Sequence, residues 1–159
     1  MTKHFLVSIV FSLFFFAISA QNIDLSKADR YYENGEFSVA QYYYVSALSY
    51  SETKDVLLYK IANCSRNLVN KDAVYWYSLL IDNYKNSSYY QRSKADLSYL
   101  YFSEKKYSDC IKLFSEVTDV LLKTDEYNFK FAYSLFLSER LDDAKYYFTK
   151  VETGKYKSL

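Results

Sequence analysis

The sequence predicts an all-α fold built from four stacked helical hairpins. In four places a small residue is followed four positions later by an aromatic ring, and three positions after that by another apolar residue. Spacing of i, i+4, i+7 puts each trio on one helical face. The trios are Ala40/Tyr44/Ala47, Ala73/Tyr77/Leu80, Cys110/Phe114/Val117 and Ala144/Phe148/Val151. Their first members are 33, 37 and 34 residues apart, a period typical of a helical array.

A second small residue precedes each trio, by twelve positions in three cases and by eleven in one: Ala28, Ala62, Ser98 and Ala132. Two helices lie close together only where the facing side chains are small, and a ring then fills the space beside them. Each hairpin therefore pairs one helix that carries a single small residue with a second helix that carries a trio.

The helix boundaries follow from the breaks in the apolar pattern. Asn34 and Gly35 interrupt the first hairpin, Thr53 can cap the next helix, and polar segments at 85–88 and 123–125 separate later hairpins. Proline is absent from the chain, which suits helices joined by short turns. The predicted pairs are 24–34 with 36–49, 53–67 with 70–84, 89–103 with 107–122, and 126–138 with 141–152.

Residues 1–20 have the layout of a secretory signal peptide. Lys3 and His4 give a short basic start, an apolar run covers 5–18, and small residues end the segment at Ala20. This layout predicts cleavage and export. The alternative, a membrane anchor, has a run of about 14 residues where a spanning helix needs about 20.

The predicted mature domain, residues 21–159, is electrically balanced. Removing the leader takes away Lys3 and no acid, so 19 basic residues face 19 acidic ones. A neutral chain with mixed charges argues against nucleic acid as a partner, because binding the phosphate backbone needs a basic face. Acidic lipid surfaces are disfavoured for the same reason.

Two thiols remain, Cys64 and Cys110, and an even count in an exported chain allows a disulfide. Cys110, however, occupies a position that is alanine in the other three trios. The two residues also fall on helices that should not be nearest neighbours, whereas a bridge needs Cα atoms within about 7 Å. We predict two buried free thiols.

The residue content gives no support for catalysis. The predicted mature chain lacks histidine, so Ser/His and Cys/His pairs are absent, and two distant cysteines are too few for zinc. We expect Asp119, Asp142 and Asp143 to be solvated, or to lie in a first helical turn, where the helix dipole favours a carboxylate. We predict no enzyme activity, no cofactor and no metal site.

The pattern resembles the tetratricopeptide repeat. The residues that match in the first, third and fourth repeats are Ala28, Tyr31, Gly35, Phe37, Ala40, Tyr44 and Ala47; Leu97, Tyr101, Tyr107, Cys110 and Phe114; Ala132, Leu141, Ala144 and Phe148. The similarity covers about 24–152. It implies a right-handed α-α superhelix, or solenoid, whose first helices line a concave groove that holds proteins or peptides.

If the family's geometry applies, eight side chains point toward this groove: Tyr32, Tyr59, Asn63, Arg66, Tyr99, Phe102, Lys130 and Tyr133. Tyrosine and arginine suit such contacts, because a large ring or planar cation offers area and a polar handle. The open alternative is that the rings pack between hairpins and the cations are solvated. Asp29, Leu25 and Asp96 occupy slots where the family's carboxylate clamp has Asn or Lys, so we expect no clamp.

An exported array also resembles the N-terminal part of bacterial envelope proteins in which helical repeats precede a β-propeller or a peptidoglycan-binding domain. We therefore expect a non-enzymatic scaffold, periplasmic or associated with the envelope, that binds a protein or peptide segment in the groove. Two interpretations stay open: a glycan- or peptidoglycan-binding helical module, and an N-terminal fragment of a larger multidomain protein.

The last predicted helix has no polar capping helix after it. Tyr146, Tyr147 and Val151 lie on that helix, and only 153–159 remain to shield them. Since solenoids usually end in a polar cap, the sequence predicts a continuation, a partner, or self-association through the C-terminal helix.

Overall fold

The computed structural model describes residues 25–152, and within them the fold is all-α, as predicted. The chain forms eight α-helices and no β-strand in this range. The helices are α1 (Leu25–Glu33), α2 (Phe37–Leu48), α3 (Lys54–Asn67), α4 (Asp72–Asn83), α5 (Tyr90–Ser103), α6 (Tyr107–Glu116), α7 (Asp125–Leu137) and α8 (Leu141–Phe148). The predicted signal peptide lies outside the described residues. No helix between residues 25 and 152 is both long and apolar enough to cross a membrane.

The predicted helix 107–122 is shorter than expected, because the chain leaves the helix after Glu116. Val117 adopts an extended conformation, with φ −75° and ψ 114°, and its side chain is buried. The amide of the following residue donates to Oε1 of Gln91 over 2.8 Å. A short 3-10 helix, Val120–Leu122, then leads toward α7. The burial of Val117 and this side-chain contact replace the last predicted helical turn.

The end of the chain also differs from the prediction. Helix α8 ends at Phe148 instead of residue 152. Val151 is buried, and the ring of Tyr147 lies 4.4 Å from that of Phe131, measured between centroids. Of the three side chains expected to lack cover, only Tyr146 is exposed.

The helices pack mainly against their neighbours in sequence. Each helix contacts the next one from α1 to α8, and α5 also contacts α7. The buried side chains form three clusters along the chain, one centred on α1–α3, one on α3–α5 and one on α5–α8. The core is therefore distributed along the helix order.

The small residues of the sequence pattern lie at the helix contacts. All eight of them are at most 2% exposed: Ala28, Ala40, Ala62, Ala73, Ser98, Cys110, Ala132 and Ala144. Both thiols are buried and unbridged, as predicted. Burial raises the pKa of Cys64 to about 12 and that of Cys110 to about 11, so both remain neutral packing groups at physiological pH.

The two helices of every hairpin are joined through one residue with positive φ. These residues are Gly35 (79°), Val69 (55°), Lys105 (59°) and Glu139 (60°). After each, the next amide donates to the carbonyl five residues earlier, with N···O distances of 2.8–3.0 Å. This bond closes a Schellman-type helix end. Only the first turn uses glycine, which adopts such a φ without steric cost.

Candidate partner-binding surface

The eight side chains predicted to line the groove fall into two groups in the structure. All of them lie on the first helices of the hairpins, α1, α3, α5 and α7. One group comprises residues of α1 and α3, namely Tyr32, Tyr59, Asn63 and Arg66. The other comprises residues of α5 and α7, namely Tyr99, Phe102, Lys130 and Tyr133, and we call it the aromatic–lysine patch.

The aromatic–lysine patch joins two hairpins through ring and cation contacts. Nζ of Lys130 lies 4.6 Å from the ring centroid of Tyr99 and 5.5 Å from that of Phe102. The Phe102 and Tyr133 rings meet edge to face, with centroids 6.0 Å apart. Glu126 holds the same ammonium at 2.7 Å. Tyr133 is exposed, and the other members of the patch are partly buried, so the patch presents ring area beside an ammonium group that is paired with Glu126.

The patch follows from spacing on two adjacent helices. Tyr99 and Phe102 are three residues apart on α5, and Lys130 and Tyr133 are three apart on α7, so each pair shares a helical face. Because α5 also contacts α7, the two pairs meet. Cation–π contacts of this kind contribute about 0.5–1 kcal/mol at exposed sites.

Three members of the first group, Tyr32, Tyr59 and Asn63, border a pocket of about 350 Å³ between α1, α2, α3 and the residue that precedes α5. The Tyr59 and Tyr89 rings stack along one side, with centroids 4.5 Å apart. Asp29 Oδ1 accepts hydrogen bonds from Tyr44 Oη and Lys60 Nζ, each over 2.5 Å. Although burial opposes it, these two donors hold the pKa of the Asp29 carboxyl below its usual value. The pocket thus contains an ionised carboxylate that lies between aromatic rings and whose charge is balanced by Lys60.

Asn63 and Tyr32 lie on the predicted helices and also pack against neighbouring side chains. Asn63 is buried; its Nδ2 donates to the Tyr59 carbonyl over 2.9 Å, and its Oδ1 accepts from Tyr77 Oη over 3.0 Å. The Tyr32 ring meets Phe37 edge to face at 5.3 Å. Asn63 therefore positions Tyr59 and Tyr77 from within the lining of the pocket.

The central charge of this surface is Asp96, a residue that the sequence did not assign to the site. Its side chain is 1% exposed, yet it accepts hydrogen bonds from Arg66 Nη1 (2.9 Å), Tyr59 Oη (3.0 Å) and Arg92 Nε (3.3 Å). Although burial opposes it, the Tyr77 phenol and the Asp96 carboxylate raise the pKa of the Arg66 guanidinium. The cluster ties α3 to α5 and fixes Arg66 at the edge of the surface.

A second aromatic feature lies on the second helices of the hairpins. Three tyrosines at equivalent positions of the second helices, Tyr42, Tyr75 and Tyr146, are between 56% and 69% exposed. Each ring stands edge to face against the ring of the next residue in the chain, at centroid distances of 4.9–5.6 Å. We call these residues the tyrosine row. They were missed because their sequence positions resemble ordinary solvent-facing positions.

Two of the three carboxylates that the sequence singled out, Asp119 and Asp143, have structural partners. Asp143 pairs with Arg140 at 2.6 Å on an exposed surface, and the Asp119 side chain accepts from the Leu121 amide over 2.9 Å. Within residues 25–152, no group of three or more potential ligands is arranged to hold a metal ion.

The sequence matches no protein-family model. No curated protein is significantly similar to it. The functional assignment therefore depends on the geometry of the chain itself.

Proposed function

We propose that the chain is a non-enzymatic scaffold that binds a protein or peptide segment along its first helices. The observation that carries this proposal is the aromatic–lysine patch, where side chains from two consecutive hairpins present ring surface beside one held ammonium group. Large rings supply contact area at low entropic cost. The Lys130 ammonium, which lies over the Tyr99 ring and is paired with Glu126, would donate a hydrogen bond to a backbone carbonyl of the segment.

The proposal includes a tetratricopeptide-type solenoid with a right-handed twist. Its support is the sequential helix packing, the small residues at every helix contact and the same left-handed turn in all four hairpins. In such an array the first helices share one concave side, so the pocket beside Tyr59 and the aromatic–lysine patch would lie along one groove. We place this scaffold in the periplasm or envelope, on the basis of the leader pattern in residues 1–20.

Site-specific photocrosslinking in the producing cells tests the groove. Incorporating p-benzoylphenylalanine in place of Tyr133 or Phe102 keeps an aromatic side chain within the patch. We expect both positions to crosslink one common partner, identified by mass spectrometry. The reason is that both side chains belong to one surface, with centroids 6.0 Å apart.

The matched control carries the same reagent in place of Tyr42, an exposed tyrosine on a second helix. That position should not yield the common partner. Equal crosslinking from positions 42 and 133, or no adduct from the patch at native expression, would argue against a groove-bound segment.

A second candidate function, glycan binding, is favoured by the tyrosine row. An exposed ring offers an apolar face and a polar hydroxyl, and both suit the mixed faces of a sugar. Tyr42 and Tyr75 stand at equivalent positions of consecutive hairpins, so a polymer with a regular repeat could contact both. The edge-to-face neighbours hold each ring in place.

Calorimetric titration with peptidoglycan fragments and soluble polysaccharides separates the two candidates. If the row binds glycans, Tyr75→Ala should weaken binding at least tenfold, whereas Tyr133→Ala should leave the affinity unchanged. No heat of binding across the panel would remove the glycan candidate and leave the scaffold proposal standing.

A further inference from the structure

The last trio of the sequence pattern differs from the other three in one side chain. Eleven of the twelve trio residues are buried, and the exception is Phe148, which is 37% exposed. The rings at the equivalent positions, Tyr44, Tyr77 and Phe114, are at most 1% exposed. The aromatic position of the trio is therefore buried in the first three hairpins and exposed in the fourth.

Two of the three buried rings contact the first helix of the following hairpin, and the third, Tyr77, shares a core cluster with Leu97 of that helix. Phe114 on α6 packs against Tyr127 and Phe131 of α7, with centroids 4.6 Å and 5.6 Å apart. Tyr44 on α2 lies beneath Lys60 of α3, whose Nζ is 5.2 Å from the ring centroid. Phe148 has no following helix within the described residues. The Phe148 ring meets Phe129 of α7 edge to face, with centroids 6.0 Å apart, and more than a third of its surface stays exposed.

The uncovered surface, which we call the terminal face, is an apolar depression on α7 and α8. It has a volume of about 520 Å³ and is lined by Phe136, Leu141, Ala144, Lys145 and Phe148, with one threonine. Phe136, Leu141 and Phe148 are all exposed. Monomeric proteins seldom leave a contiguous apolar face open, and such faces usually mark an interface.

Helix α1, at the other end of the described fold, is not suited to cover the terminal face of a second copy. Ile61, Leu97 and Phe131 are buried residues of the first helices at equivalent positions, and each lies on the surface that meets the preceding hairpin. In α1 the equivalent residue is Lys27, whose ammonium lies 5.2–6.0 Å from two tyrosine ring centroids of its own hairpin. Head-to-tail stacking would place this ammonium against the apolar side chains of the terminal face, whose lining contains no carboxylate. The desolvation of an unpaired ammonium opposes that contact.

We propose that the terminal face pairs with the terminal face of a second copy of this chain around a two-fold axis. Leu141, Ala144, Lys145 and Phe148 form an i, i+3, i+4, i+7 stripe that is self-complementary. In an antiparallel pair of α8 helices, Leu141 of one copy lies beside the partner's Phe148. Ala144, the small residue, leaves room for the stem of the partner's Lys145.

The two-fold arrangement brings the two copies of Lys145 together, and an Asp142 from each copy balances the two charges. With the axis between residues 144 and 145, Lys145 lies about 3 Å, measured along the helix, from the level of the partner's Asp142. Both side chains are exposed, and no ion pair is formed by Lys145 with any carboxylate of residues 25–152. The interface is isologous, so it closes at a dimer and does not continue into a filament.

Sedimentation velocity over a range of micromolar concentrations tests the proposal. The purified protein should sediment with twice the monomer mass, and Phe148→Glu should weaken dimerisation at least tenfold, because each substitution puts a charge into both halves of the contact. Tyr42→Glu, an exposed ring elsewhere, should leave the dimer intact. Far-ultraviolet circular dichroism should show all three proteins equally helical.

Oxidative crosslinking tests the two-fold axis. Lys145→Cys should form an intermolecular disulfide rapidly, because the two copies of this residue lie next to the axis, and Tyr42→Cys should not. The native thiols do not interfere, since Cys64 and Cys110 are buried.

Three results would overturn the proposal. They are a monomer at every concentration, a dimer indifferent to Phe148→Glu, and the absence of a disulfide between copies of residue 145. The first would mean that residues 153–159 or a different protein cover the terminal face, and the second and third would place the dimer contact elsewhere.

Discussion

Replacing Phe114 with alanine is expected to lower the free energy of unfolding by about 4 kcal/mol. The ring is fully buried and contacts Tyr99, Tyr127 and Phe131 at centroid distances of 4.6–5.6 Å. Its removal leaves a cavity between α5, α6 and α7 that these large rings cannot fill. Urea unfolding followed by far-ultraviolet circular dichroism measures the change.

Phe148→Ala is the matched control, because it makes the same chemical change at the equivalent position of the last hairpin. We expect a loss of about 1 kcal/mol there, measured at a protein concentration that favours the monomer, since the ring is already partly in water. Equal losses at the two positions would mean that Phe148 is as well covered in solution as Phe114.

Replacing Arg66 with methionine is expected to lower the free energy of unfolding by about 3 kcal/mol. Asp96 is almost fully buried and receives its shortest hydrogen bond from Arg66, at 2.9 Å. Without this cation the carboxylate keeps only the Tyr59 hydroxyl and the more distant Arg92. A buried charge with too few donors destabilises the folded state more than the lost contact itself would suggest.

Two variants separate this effect from simple loss of a surface charge. Arg92→Met removes an exposed partner and should cost less than about 1 kcal/mol. The double variant Arg66→Met/Asp96→Leu removes the buried charge together with its partner, and it should recover most of the stability lost in the single variant. If the double variant is as unstable as Arg66→Met, packing of the arginine stem and not the Asp96 charge explains the loss.

The helix pairs could be predicted because local sterics determine them. A small residue on each of two facing helices is required wherever backbones approach closely, and that requirement leaves a periodic signal in the sequence. Ala62 and Ala73, for example, identify the contact between α3 and α4, and both are buried. The end of α6 could not be predicted, because the contact that follows it joins the Thr118 amide to the side chain of Gln91, a residue distant in sequence.

The hairpin turns show a second limit. Val69, Lys105 and Glu139 have positive φ, although β-branched and long side chains disfavour that conformation. Packing of two helices and the closing hydrogen bond decide the turn, so residue preferences at the turn do not reveal it. Of the four turn residues, only Gly35 is of a type that predicts a positive φ.

The candidate site was predictable as a set of residues on one class of helices, but its internal contacts were not. A lysine on a helix usually faces water, and nothing in the sequence places Lys130 over the ring of Tyr99. Asp96 was read as a departure from a family slot, whereas it is the buried centre of a charge cluster. Its position between Ala95 and Leu97, both buried, is the signal that could have indicated burial.

The sequential helix packing has a consequence for how the chain acquires its structure. Within residues 25–152 each helix mainly contacts its nearest neighbours in sequence, so most contacts form without closing a long loop, and low contact order favours fast folding. Every hairpin can dock as soon as it leaves the ribosome or a translocation channel, using the previous hairpin as its template. Assembly can thus proceed from the N-terminus in the order of synthesis.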